Sequence, residues 1–186
     1  GCSGLESIVV DNNNSVYKSE GNCLIETASK TLVLGCKNSV IPTDGSVTSI
    51  GEYAFYDCTS LTSVEIPDSV TSIGSDAFCN CSSLTSITSF IPAEKLFEAG
   101  YYVFPGVDKE NCTLYVPAGA KETYAATEGW NEFTNIVEII ENPFELTVSA
   151  AKYATLYLDY NAIIPDGVEV YTANTVDGNR LMMQQV

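Results

Sequence analysis

VTSIGEYAFYDCTSLTSVEIPDS (residues 47–69) is followed at once by VTSIGSDAFCNCSSLTSITSF (residues 70–90), so the chain writes one unit twice with a period of 23 residues. Val47 returns as Val70, Ile50 as Ile73, Gly51 as Gly74, Ala54 as Ala77, Phe55 as Phe78, Cys58 as Cys81, Leu61 as Leu84 and Val64 as Ile87. Repeats of this length are too small to bury an apolar face alone and must stack on their neighbours. Equivalent residues then lie about 4.8 Å apart, inward side chains form apolar columns, and outward positions vary. The substitutions Glu52 to Ser75, Tyr53 to Asp76, Tyr56 to Cys79 and Glu65 to Thr88 fall between the repeated apolar residues, as stacking requires.

Within one unit, Leu61, Val64 and Ile66 read as a short strand with its lead-in, stopped by Pro67 and turned by Asp68 and Ser69. Gly51 and Gly74 suit a sharp corner. Ala54-Phe55 and Ala77-Phe78 return the chain through a helical or 3-10 turn, each Phe filling the wide part of its rung. The pattern V-x-x-I-G-x-x-A-F-x-x-C-x-x-L-x-x-V/I-x-I-P, present as residues 47–67, resembles the BspA-type leucine-rich repeat of bacterial surface proteins. That resemblance implies a secreted or surface-anchored solenoid used for adhesion or recognition, with no catalytic residues to carry over. The expected fold is an α/β solenoid, mostly β, built of parallel short strands.

Outside the regular units the frame is looser. Residues 5–10 supply a first strand, with Ile8 and Val10 in the places of Val64 and Ile66. Asp11, Asn12, Asn13 and Asn14 form a polar turn, since they lack the spaced acids and closing Glu of a calcium loop. Residues 16–35 hold two apolar runs, CLIE and TLVLG, that read as an inserted β-hairpin. The frame returns at Val40-Ile41-Pro42. An insertion then spans residues 91–108, with a helical turn starting at Pro92. Residues 111–140 resemble a terminal rung, with a helix over residues 118–127, Trp130 and Phe133 over the end of the stack, and Val116 and Ile139 equivalent at 23 residues. The solenoid is thus assigned residues 1–141. In residues 142–186 strict alternation replaces the repeat, at Leu146 and Val148, at Ala154, Leu156 and Leu158, and at Val168 and Val170, which reads as a small antiparallel β module. That module is expected to be incomplete, and the array to begin upstream of residue 1 together with its export signal.

Composition narrows the function. Eight Lys and Arg against 24 Asp and Glu give a net charge of −16 with no histidine, so nucleic-acid phosphates and anionic membranes are repelled. No run of about 20 apolar residues suits membrane insertion. Seven cysteines invite disulfides, yet Cys58 and Cys81 share one repeat position, and Cys2 fits it. Stacked Cβ atoms near the rung spacing of about 4.8 Å exceed the usual disulfide separation of about 3.5–4.5 Å, so buried thiols are expected. Cys79-x-Cys81 with Cys58 offers an alternative zinc set, but its spacing is not a Cys-x2–4-Cys pair with a second pair, so neither a metal nor another cofactor is expected.

Three functions follow. A binding module would present the outward residues Ser63, Glu65, Ser86, Thr88 and Tyr115 to a protein or glycan, as a monomer at the cell surface or secreted. A structural spacer would lift other domains away from a cell wall. A glycan- or peptide-acting hydrolase would need paired carboxylates about 5–9 Å apart, because no histidine and no Gly-x-Ser-x-Gly elbow exist to serve a nucleophile.

Overall fold

The computed structural model describes residues 4–100 and 102–139 in full, and the backbone of two strands at residues 171–177 and 180–185. The chain divides into two compact units, Gly1–Glu141 and Asn142–Val186. Cys2, Ile140 and the strands expected at Leu146, Val148, Ala154, Leu156, Leu158, Val168 and Val170 lie outside the described residues.

The first unit contains β1 (Tyr17–Glu20), β2 (Cys23–Glu26), β3 (Thr31–Leu34), β4 (Ser49–Ile50), β5 (Ser63–Ile66), β6 (Ser72–Ile73), β7 (Ser86–Ser89), a 3-10 turn (Ala93–Lys95), β8 (Thr113–Pro117), α1 (Lys121–Ala126) and β9 (Asn135–Ile139). They form two ladders. One is the parallel sheet β5-β7-β8-β9, in which Val64, Ile87, Leu114 and Ile136 pair in register and are all buried. The other runs β1-β2-β3-β4-β6, antiparallel through the first three strands and parallel from β3 onward. The inserted hairpin therefore gains a third strand at Tyr17–Glu20, and its last strand takes a rung's place beside β4. Ser49–Ile50 and Ser72–Ile73 add a second strand to each rung. Two residues are too few to show alternation in a sequence.

A third side is made by turns. Tyr56 N–H donates to Tyr53 O at 3.0 Å, Cys58 N–H to Phe55 O at 3.1 Å and Cys79 N–H to Asp76 O at 3.1 Å. These bonds span three residues, but left-handed backbone at Tyr53, Asp57, Asp76 and Asn80 (φ 55° to 60°) prevents them from growing into a helix. The spare amides bond the next rung instead, Phe55 N–H to Ala77 O at 2.7 Å and Asp57 N–H to Cys79 O at 2.8 Å.

Inside, Phe55 and Phe78 stack with ring centroids 5.0 Å apart and planes 9° from parallel. Phe104 continues the column at 5.6 Å and 11°. Each end is closed differently. At one end Gly35 donates to Ala54 O, the bond Phe55 makes to the next rung, and a Cβ there would lie 2.0 Å from the Phe55 ring. At the other, Phe133 and Trp130 meet Phe104 edge-on or tilted, with centroids 5.1 and 5.7 Å away. Trp130 is fully buried and donates its indole N–H to Phe97 O at 3.0 Å.

Several expectations change. Residues 5–10 form no strand, and Val9 is 86% exposed, because this stretch pairs with neither ladder. The helix begins at Lys121 rather than 118, since Pro117 and Gly119 form a turn closed by Ala120 N–H on Pro117 O. The last rung is 22 residues long, so Glu138, not Ile139, pairs with Val116. Its carboxylate has a use there, accepting the Lys121 amide at the start of α1 at 3.2 Å. Ser89 likewise occupies an inward place, in register with Ile66, and is fully buried. Tyr124 from α1 reaches it: the phenol donates to Ile91 O at 2.8 Å and accepts from the Ser89 hydroxyl at 2.6 Å.

In the second unit the described backbone is one antiparallel pair, β10 (Tyr171–Asp177) and β11 (Arg180–Gln185), with an irregularity between Ala173 and Thr175. No helix among the described residues is long and apolar enough to cross a membrane.

Candidate functional site

Side chains alternate across a strand, so burying Val64 and Ile66 turns Ser63 and Glu65 outward. Register carries this through four rungs. Ser63, Ser86, Thr113 and Asn135 form one outward column, and Glu65, Thr88, Tyr115 and Val137 the next. Ser63, Glu65 and Tyr115 are exposed, while Ser86 and Thr88 are half-buried between their neighbours. All five residues picked from the sequence thus share one sheet face. Thr113, Asn135 and Val137 belong to it too, and the apolar residues Leu114, Val116 and Ile136 that flank them are the signal that finds them. The face is partly knit together, because Asn135 Nδ2 donates to Thr113 Oγ1 at 2.7 Å.

The short-strand face is similar in kind but smaller. Ser72 and Ser49 hydroxyls bond at 2.9 Å, and Thr71 Oγ1 donates to Thr48 O at 3.1 Å. These hydroxyls are spent on neighbouring rungs.

The thiols lie inside. None of Cys23, Cys36, Cys58, Cys79, Cys81 and Cys112 forms a disulfide, and all six are buried. Cys81 Sγ donates to Phe55 O at 3.2 Å, and burial pushes its pKa up to about 12. Burial likewise raises Cys23 and Cys112 to about 11. Such thiols stay protonated at neutral pH and are poor nucleophiles. The polar turn bonds itself: Asp11 Oδ1 accepts from Asn13 N at 2.8 Å, and Asn14 Oδ1 from Val16 N and Tyr17 N at 2.9 Å.

Stacked rungs of 23 residues, an apolar ladder under a variable outward face and a column of phenylalanines define a leucine-rich-repeat solenoid. Residues 34–114 match the BspA type Leucine rich repeat region, in six copies. Over those residues the chain therefore carries BspA-type leucine-rich repeats. Among solved structures it is similar to a leucine rich cell surface protein from Faecalibacterium prausnitzii A2-165, at 23% identity and TM-score 0.48 over 74% of this chain and 42% of that one. It is also similar to a leucine-rich repeat protein from Eubacterium ventriosum ATCC 27560, at 23% identity and TM-score 0.39 over 62% and 36%. A third is the pneumococcal vaccine antigen PcpA, at 13% identity and TM-score 0.34 over 72% and 50%. The chain spans half or less of the length of these structures. No curated protein matches it.

Proposed function

We propose that the solenoid is a non-catalytic recognition or adhesion module, secreted or held at a cell surface, that binds a protein or glycan through the outer face of β5-β7-β8-β9. The observation behind this reading is the pair of outward columns. Their chemistry changes from rung to rung, Glu65 to Thr88 to Tyr115 to Val137, over an apolar ladder that does not. The repeat-family match over residues 34–114 supports the same reading. Buried, protonated thiols and the lack of histidine weigh against nucleophilic catalysis.

Tyr115 and Glu65 supply the face with a large aromatic surface and a charge, the side chains best suited to anchor a partner. The test is a binding screen of the full chain against arrayed glycans and extracellular proteins, followed by the double variant Glu65→Ala/Tyr115→Ala. At least tenfold weaker binding of the selected ligand is expected. Unchanged binding would remove this face as the site, and a screen with no ligand would favour a spacer instead.

A further inference from the structure

The insertion between the second and third phenylalanine of the column builds something the regular rungs lack. Phe55 to Phe78 is 23 residues, whereas Phe78 to Phe104 is 26. Within the inserted stretch Ala99 N–H donates to Glu128 O at 3.1 Å. Between this stretch, the third turn and the segment after α1 lies a cleft of about 440 Å³. That volume falls within the roughly 300–1,000 Å³ of small-molecule sites.

Its lining is chemically mixed. Phe104 and Pro105 give it apolar lining, and Tyr102, which also lines it, has 66% of its surface exposed. Left-handed backbone at Tyr102 (φ 55°) places it in the column of Tyr53 and Asp76, on the outer side of the turn. Lys109 and Glu132, which also line the cleft, form an ion pair, and the exposed Glu128 is a further lining residue.

We propose that this cleft binds an uncharged saccharide. An exposed tyrosine ring offers a flat apolar surface for the C–H face of a sugar, and a neighbouring ammonium and carboxylate offer a donor and an acceptor. Hydroxyl groups both donate and accept, so adjacent sugar hydroxyls satisfy both members of the ion pair at once. Other ligand classes fit less well. An anion meets two glutamates on a chain of net charge −16. A cation would have to displace the Lys109 ammonium from Glu132, and a wholly apolar ligand would strip water from that ion pair without replacing its hydrogen bonds. The site lies apart from the outer sheet face and does not depend on that face binding anything.

The test is an array of uncharged hexose and N-acetylhexosamine oligosaccharides probed with the full chain, then titration calorimetry with the strongest binder. Tyr102→Ala and Lys109→Ala are each expected to weaken binding at least tenfold. Tyr102→Phe, which keeps the ring, and Glu65→Ala/Tyr115→Ala, on the other face, are expected to stay within about threefold. Amide shifts in the unsubstituted protein on adding the same sugar are expected at Tyr102, Lys109, Glu128 and Glu132, a reading that needs no variant to fold. Failure of every uncharged saccharide to bind overturns the proposal. So does binding that survives Tyr102→Ala, or that shifts only the amides of the sheet face.

Discussion

At Gly74 a methyl group would sit 2.6 Å from the Glu52 nitrogen and 2.9 Å from Glu52 Cα, both backbone atoms of the preceding rung. Gly51 is tight as well, 3.0 Å from Leu32 O, and Gly100 repeats the contact at 2.8 Å from Ile73 O. The repeated glycine therefore serves the closeness of neighbouring coils more than the bending of its own, since neither Gly51 nor Gly74 has a positive φ. Gly74→Ala is expected to destabilise the solenoid by about 1–3 kcal/mol, in line with overpacked sites. Urea unfolding checks it, with a lower midpoint and an unchanged slope. Ser82→Ala, at an exposed position, should stay within about 0.5 kcal/mol. The glycine was legible in the sequence but its reason was not, because proximity between coils appears only once they are stacked. The left-handed tyrosines 53 and 102 were not legible either, since tyrosine has no special tolerance for that conformation.

Among elements, the phenylalanine column holds the rungs in line. Stacked aromatic pairs add about 0.5–1.5 kcal/mol each beyond the area they bury. Phe78 has a parallel phenylalanine ring on each side, Phe55 and Phe104. Phe78→Ala is expected to cost about 3–5 kcal/mol, the range for buried phenylalanine truncated to alanine, measured by denaturant unfolding. A loss below 1 kcal/mol would mean that the rings touch without supporting one another. Phe55 and Phe78 were readable from the repeat alone. Phe104 was missed, because the insertion shifts it by three residues and Val103 replaces the alanine that marks the other two turns. The last rung misled for the opposite reason, in that Ile139 continues the count of 23 while Glu138 takes the structural place by capping α1.

Across the whole molecule the buried thiols tie stability to pH. Cys81 is raised to about 12 and Cys23 and Cys112 to about 11, above the ordinary thiol value of about 8.5, so the unfolded chain loses these protons first. Their contribution is complete below that ordinary value and is lost as pH rises toward 11 to 12. Tyr124, also raised to about 12 by burial, acts in the same direction above pH 10. Urea midpoints are expected to hold from pH 7 to about 8 and to fall steadily beyond about 9. A midpoint flat to pH 10.5 would contradict thiol burial. The fold class was legible because periodicity reports stacking directly, and the outward residues because a strand alternates. The cleft was not, since Tyr102, Lys109, Glu128 and Glu132 come from segments that only the insertion brings together.

Parallel coils leave open backbone where a ladder ends, and such an end can recruit another chain and seed fibrils. Here the outermost strand of one ladder, Tyr17–Glu20, runs antiparallel to the strand beside it, is four residues long, and carries the Lys18–Glu20 ion pair at 2.7 Å. A neighbouring copy approaching along that margin would have to strip water from both charges, so the hairpin that interrupts the repeat also discourages one molecule from growing onto the next.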